Sequence, residues 1–172
     1  YVTFQSKKRY IENVKKFRTF YSTYKEKLFA YLMRTTGDYQ LSCDVMQESF
    51  TRFLARYGPD APNGALLFAI ARNTFLDEVR KRKRYKVMED DEGDDARNQE
   101  QHLLVRESYR EVLAAMEGLS KSERDILALV ASSDLSYREI AGVTGISEVN
   151  VKVKVHRART KLKRILQMGD QR

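Results

Sequence analysis

The chain has 172 residues, with 42% hydrophobic and 33% charged positions and a net charge of +8; this describes a globular protein with small cores, and the charge points toward a polyanionic partner, either nucleic acid or an anionic membrane surface, while a soluble protein that is merely basic carries the same charge. Cys43 is the only cysteine, so an internal disulfide and a four-cysteine zinc site are excluded and a reducing compartment fits best. No apolar run approaches the roughly 20 residues that cross a bilayer, and Tyr1 through Phe17 lacks the apolar core of a signal peptide, so the expectation is a cytoplasmic protein.

In chain order, apolar residues first recur at helical spacing in Phe17, Phe20, Tyr24, Leu28, Tyr31 and Leu32. A second stripe runs through Leu41, Val45, Phe50, Phe53, Leu54 and Tyr57, and a third through Leu67, Ile70, Ala71, Thr74 and Val79. Gly37 and Asp38 separate the first two, and Gly58, Pro59, Pro62 and Gly64 separate the next two. These spacings predict three amphipathic helices, while Tyr1 to Arg9 is assigned no role.

Charge then changes sign along the chain. Residues 1–86 hold 18 basic and 8 acidic side chains, residues 87–101 hold 1 and 7, and residues 102–172 hold 13 and 9. The middle segment, with Glu89, Asp90, Asp91, Glu92, Asp94 and Asp95, has almost nothing apolar to bury and reads as a flexible acidic linker. It lacks the spaced ligands and terminal bidentate Glu of a calcium loop.

Beyond it, Leu103 to Met116 is expected to be helical. Two capping boxes follow, Ser120 with Glu123 and Ser136 with Glu139, placing helix starts near Lys121 and Tyr137. Val149, Val151, Val153 and Val155 alternate with polar residues like a strand, but Val151, Val155, Ala158, Leu162 and Ile165 continue at steps of four and three, so a helix accounts for the longer window. The capped helix, the Gly145 turn and this last helix have the arrangement of a helix-turn-helix, whose second helix enters the major groove. Between Val149 and Leu166 stand seven basic residues and no acid. Such a helix also suits a calmodulin-like or membrane-surface role; the preceding capped helix and turn favour DNA. Asn150, Lys152 and Lys154 near the helix start are placed to reach base edges, and the later cations to meet phosphates.

The run LSYREIAGVTGIS with VKVKVHRARTKL resembles the fourth conserved region of the sigma-70 family, which binds the promoter −35 element. The −35 contacts this implies are Ser147, Asn150, Lys152, Val153, Lys154, His156, Arg157, Lys161 and Lys163. The segment DVMQESFTRF is similar to the family's second region, and implies polymerase docking by Asp44, Gln47, Glu48, Phe50, Thr51 and Arg52; the same polar face is also what a merely solvated helix presents. LLFAIARNTFLDEVRKRKR resembles the part that melts and reads the −10 element. There Asn73 matches the contact to a flipped-out base, with Arg72 and Thr74 beside it and Arg80, Lys81 and Arg84 available for phosphates. The resemblance covers about Tyr21 to Arg84 and Ser108 to Leu166. The family usually has Trp where Leu66 stands and Pro where Ser120 stands. A short acidic linker in place of the larger members' extra domain implies the extracytoplasmic-function group.

The expected architecture is therefore all-α: residues 1–20 an N-terminal extension, 21–86 a polymerase-binding and −10-recognition domain, 87–101 the linker, and 102–172 a helix-turn-helix −35-recognition domain. No Gly-rich phosphate loop, nucleophile triad or metal cluster stands in the sequence, so no catalysis, metal or cofactor is expected. The expected partners are core RNA polymerase, promoter DNA and, by the resemblance, an anti-sigma factor. The rival reading is a stand-alone helix-turn-helix regulator with a helical sensory domain.

Overall fold

In the computed structural model, which describes residues 4–59, 63–88 and 107–169, every regular element is an α-helix. They are α1 (Phe4–Thr36), α2 (Tyr39–Tyr57), α3 (Gly64–Met88), α4 (Glu107–Glu117), α5 (Lys121–Ser132), α6 (Tyr137–Thr144) and α7 (Glu148–Gly169). Most of the acidic segment expected as a linker, from Glu89 onward, lies outside the described residues, as does His102.

Local chemistry sets the boundaries. No Gly or Pro interrupts α1, which starts well before the Phe17 stripe and ends where Gly37 takes φ 70° and its N–H reaches Met33 O at 2.9 Å. Asp38 then caps α2, its carboxylate accepting from the Leu41 N–H at 2.8 Å. Asn63 does the same for α3, accepting from Leu66 N–H at 3.0 Å. Gly64 has a tertiary reason to be glycine: a Cβ there would sit 2.6 Å from the Tyr24 ring. In the second half both capping boxes form as the spacing predicts, with Ser120 and Ser136 each exchanging bonds with the Glu three residues on. Gly145, in the left-handed region at φ 73°, turns the chain from α6 toward α7.

The stripes read from the sequence become the core. Leu28, Tyr31, Leu32, Phe53, Leu67, Phe68 and Ala71 are buried in the first half, and Ile126, Leu129, Ile140, Val151, Val155 and Ala158 in the second. Fully burying such an aliphatic or aromatic side chain contributes about 1.5–3 kcal/mol. Phe20 stacks on Phe53 at 4.8 Å between ring centroids. Leu54, expected in the core stripe, is 38% exposed at its edge.

The two halves do not stand apart. Their apolar residues form one continuous cluster, with α1 packed on α5 and α3 on α6. Polar contacts close the same seam: Tyr31 Oη donates to Asp125 at 2.8 Å, Arg72 Nε donates to the other oxygen of Asp125 at 2.8 Å, Arg34 donates to Ser132 Oγ at 2.8 Å, and Lys27 pairs with Asp134.

Candidate nucleic-acid and polymerase interface

On α2, burying Leu41, Val45, Ser49 and Phe53 inward turns Asp44, Gln47, Glu48, Thr51 and Arg52 outward, and all five are exposed. Arg52 Nε meets Glu48 at 2.6 Å, and Gln40 donates to Asp44 at 3.0 Å, so the face is a pre-ordered strip of mixed charge. Phe50 is different. It is buried with its ring edge-on to Phe17 and Phe20 and 4.7 Å from the Tyr21 ring, which gives it a supporting place under the strip.

On α3 the adjacent residues Arg72, Asn73 and Thr74 point to three sides, as a 100° step per residue requires. Asn73 is exposed and shares its face with Arg80 and Arg84, also exposed, while Lys81 stands beside them. Arg80 and Lys81 lean on Asp77 and Glu78 at 3.1 and 3.8 Å. Thr74 is buried and lies 3.4 Å from an Arg52 nitrogen, linking the α2 strip to α3. Arg72 points into the seam between the halves, held by Asp125.

On α7, Val151, Val155 and Ala158 are buried against the rest of the second half, and Ser147 caps the helix by accepting from Asn150 N–H at 3.2 Å. The opposite face carries Val149, Val153 and His156, flanked by Asn150, Lys152 and Arg157, with Lys163 and Arg164 further along, all exposed. Val149 is 67% and Val153 40% exposed, an unusual pair of bare valines on an otherwise cationic surface. Lys154 is not with them. Its ammonium donates to Ser122 Oγ at 2.9 Å at the start of α5, and Lys161 lies 3.7 Å from Glu123. The Ser120 N–H and hydroxyl, with these two lysines, hold the Glu123 carboxyl below its usual range; the Ser136 hydroxyl and N–H do so for Glu139, and Lys152 for Glu148.

Sequence reasoning missed the seam. Tyr31 was legible only as a core aromatic, and nothing in the pattern around Asp125 signals a partner 53 and 94 residues upstream. Burial first, then the Asp125 carboxylate, pushes the Tyr31 phenol well above its ordinary value, so it stays a hydrogen-bond donor. Among the described residues no three His, Cys, Asp or Glu side chains converge to hold a metal, and no helix is long and apolar enough to cross a membrane.

Comparison with known proteins places both halves of the chain in one family. Residues 20–85 match the family model for sigma-70 region 2, and residues 109–162 that for sigma-70 region 4. The ECF RNA polymerase sigma factor EcfG of Rhodopseudomonas palustris is 33% identical over 148 residues, covering 81% of this chain and 78% of that protein. SigM of Bacillus subtilis, also an ECF RNA polymerase sigma factor, is 33% identical over 153 residues, covering 87% and 94%. Among solved structures, the sigma factor RpoE in complex with the anti-sigma factor NepR from Bartonella quintana superposes with a TM-score of 0.74 at 22% identity, over 89% of this chain and 98% of that one. CnrH in complex with the cytosolic domain of CnrY gives 0.64 at 24% identity, over 88% of each chain. With both regions matched in order along one all-helical chain, the protein belongs to the sigma-70 family of RNA polymerase sigma factors, in its extracytoplasmic-function group.

Proposed function

We propose that this sigma factor docks core RNA polymerase through the α2 strip of Asp44, Gln47, Glu48, Thr51 and Arg52, reads the −10 element with the Asn73, Arg80, Lys81 and Arg84 side of α3, and reads the −35 element with the outer face of α7. It acts in the cytoplasm and catalyses no reaction itself; the polymerase does the chemistry. The division into residues 21–86 and 102–172 follows these two recognition tasks. An anti-sigma factor is the proposed regulatory partner, since RpoE and CnrH are each seen bound to another protein, named as an anti-sigma factor in the first case.

The observation that carries the reading is the division of labour on α7. Three small apolar side chains fix its inner face, leaving Asn150, Lys152, Val153, His156 and Arg157 directed outward from a capped, tightly turned helix pair. Amide and cationic groups suit base edges and phosphates, and a bare valine suits the thymine methyl.

The test is reconstitution. The chain, added to core polymerase, should co-purify with it and start transcription at defined promoters that core alone ignores. Glu48→Lys should weaken core binding at least tenfold without lowering the melting temperature, because Glu48 is exposed. No promoter-specific product from the reconstituted enzyme rejects the proposal.

A further inference from the structure

The first half of α1 has no task in polymerase docking by α2 or in promoter reading, yet it carries an ordered apolar seam. Tyr10, Val14, Phe17 and Tyr21 continue the spacing of Tyr24, Leu28 and Tyr31 in alternating steps of four and three, the seven-residue repeat by which one helix packs along another. Burial fades along this seam toward the N-terminus. Leu28 and Tyr31 are fully buried and Tyr24 is half-buried, whereas Tyr21 is 37%, Val14 49% and Tyr10 70% exposed, with Ile11 bare beside them. Phe20 still stacks on Phe53 and Phe17 still meets Phe50, but α2 ends at Tyr57 and the turns of α1 before Phe17 stand uncovered.

Charge and reach select the occupant. Between Ser6 and Arg18 there are six basic residues and one acid, Glu12, which sits opposite the seam and pairs with Lys16 at 3.4 Å. Lys7 lies on the seam and Arg18 along its edge, both exposed. A second copy would set these cations against their like. The acidic residues 89–101 are tied at the wrong end of the helix: Arg82 meets Asp38 at 3.4 Å and Tyr109 lies 5.5 Å from Arg34, both near Thr36. Tyr10 is roughly 36 Å along α1 from Arg34, and the chain between Met88 and Glu107, going out and back, reaches roughly 30 Å. A flat anionic bilayer suits a stripe turned away from the protein body, but this one faces the same way as the core side of α1. An acidic helix in line with the space that α2 fills satisfies both the seam and its charge. The bare stripe also runs into the α2 docking strip, since Tyr21 lies 4.7 Å from the Phe50 ring, and Leu54, one turn beyond Phe50, is 38% exposed.

We propose that the first half of α1 is a second polymerase-docking element: Tyr10, Val14 and Tyr21, edged by Lys7 and Arg18, form an open helix seam that takes an acidic amphipathic helix of core RNA polymerase beside the contact made by α2. This rests on the sigma-factor reading for its partner. The receiving helix carries apolar residues at steps of three and four, with Asp or Glu flanking them opposite Lys7 and Arg18.

Variants of the full chain, titrated against core polymerase, test it. Tyr10→Ser with Val14→Ser changes only exposed side chains, so helical content and melting temperature should hold while core affinity falls about tenfold or more. Lys7→Glu with Arg18→Glu should weaken binding too, by a factor that shrinks as salt is raised. A benzophenone amino acid in place of Tyr10 should photo-crosslink, in the holoenzyme, to an acidic helical segment of a core subunit. Glu48→Lys reports separately on α2. If Glu48→Lys weakens core binding and the double-serine chain binds like the parent, the second element is overturned and the α2 reading stands. If the parent does not bind core at all, the sigma-factor reading fails and polymerase as the occupant fails with it. Unchanged core binding by the double-serine chain, together with loss of a parent dimer in sedimentation or of parent flotation with phosphatidylglycerol vesicles, overturns the proposal in favour of a second copy or a membrane.

Discussion

The two bare valines on α7 illustrate how a single residue type is informative only once its face is known. A β-branched side chain exposed on a helix has neither burial nor propensity in its favour. Facing a major groove it has a partner, because a thymine carries a methyl at the groove surface and a buried CH₃ is worth about 0.8 kcal/mol. Replacing the contacted −35 thymines by deoxyuridine should therefore cost the parent holoenzyme about fourfold in affinity per methyl, and Val153→Ser should be insensitive to the exchange. Equal sensitivity of parent and variant means that Val153 touches no methyl. The lysines divide in the same way. Lys163 is exposed, so Lys163→Ala should lower the slope of log affinity against log salt by about 1 on every promoter. Lys154 is bound to Ser122 inside its own half, and Lys154→Ala should change that slope less. We propose that base reading at the start of α7 falls to Lys152 and Arg157, with Lys154 held at Ser122.

At the scale of an element, the capping boxes decide how firmly the recognition helix pair is held. The Ser136 hydroxyl accepts from the Glu139 N–H at the start of α6, and α6 packs on α7 with Ile140 and Val143 buried. Ser136→Ala should cost about 1 kcal/mol in denaturant unfolding. The same boxes give a pH dependence of definite sign. Glu123 and Glu139 are held below their unfolded-state values, so in the folded protein they stay charged to lower pH than in the unfolded chain. Their contribution is complete above the ordinary glutamate value of about 4.3 and is lost as pH falls through the lower folded value. Melting temperature should be steady near neutrality and fall on acidification, and the acid slope should be shallower in Ser120→Ala and Ser136→Ala, where the hydroxyl that stabilises the carboxylate is gone. An unchanged slope would show that the boxes do not form in solution.

Over the whole molecule, the continuous core makes the free chain one cooperative body. Phe68 packs 5.6 Å from Tyr31, and Tyr31 in turn bonds to Asp125 in the other half, so neither half unfolds without uncovering the other. Calorimetry of the free chain should show one transition with equal calorimetric and van't Hoff enthalpies. Tyr31→Phe, which strips a buried donor from a charged acceptor, should cost about 1.5–3 kcal/mol and lower that single transition. Two resolved transitions in the parent chain would count against a shared core.

What the sequence determined by itself is whatever depends on neighbours a few residues away. Helix periodicity, the Ser-x-x-Glu boxes, the Gly145 turn and the sign of each charged segment are local properties, and helix starts near Lys121 and Tyr137 were legible from them. The outward face of α2 was legible for the same reason, since its one apolar stripe leaves the opposite side polar. The tertiary structure alone decided which member of a local group is available: Phe50 and Thr74 lie buried among the candidate contacts, Lys154 is turned to Ser122, and Arg72 is tied to Asp125. Each of those outcomes depends on a partner supplied by another helix. A spacing rule encodes the angle at which a side chain leaves its own helix, but not what packs against it there.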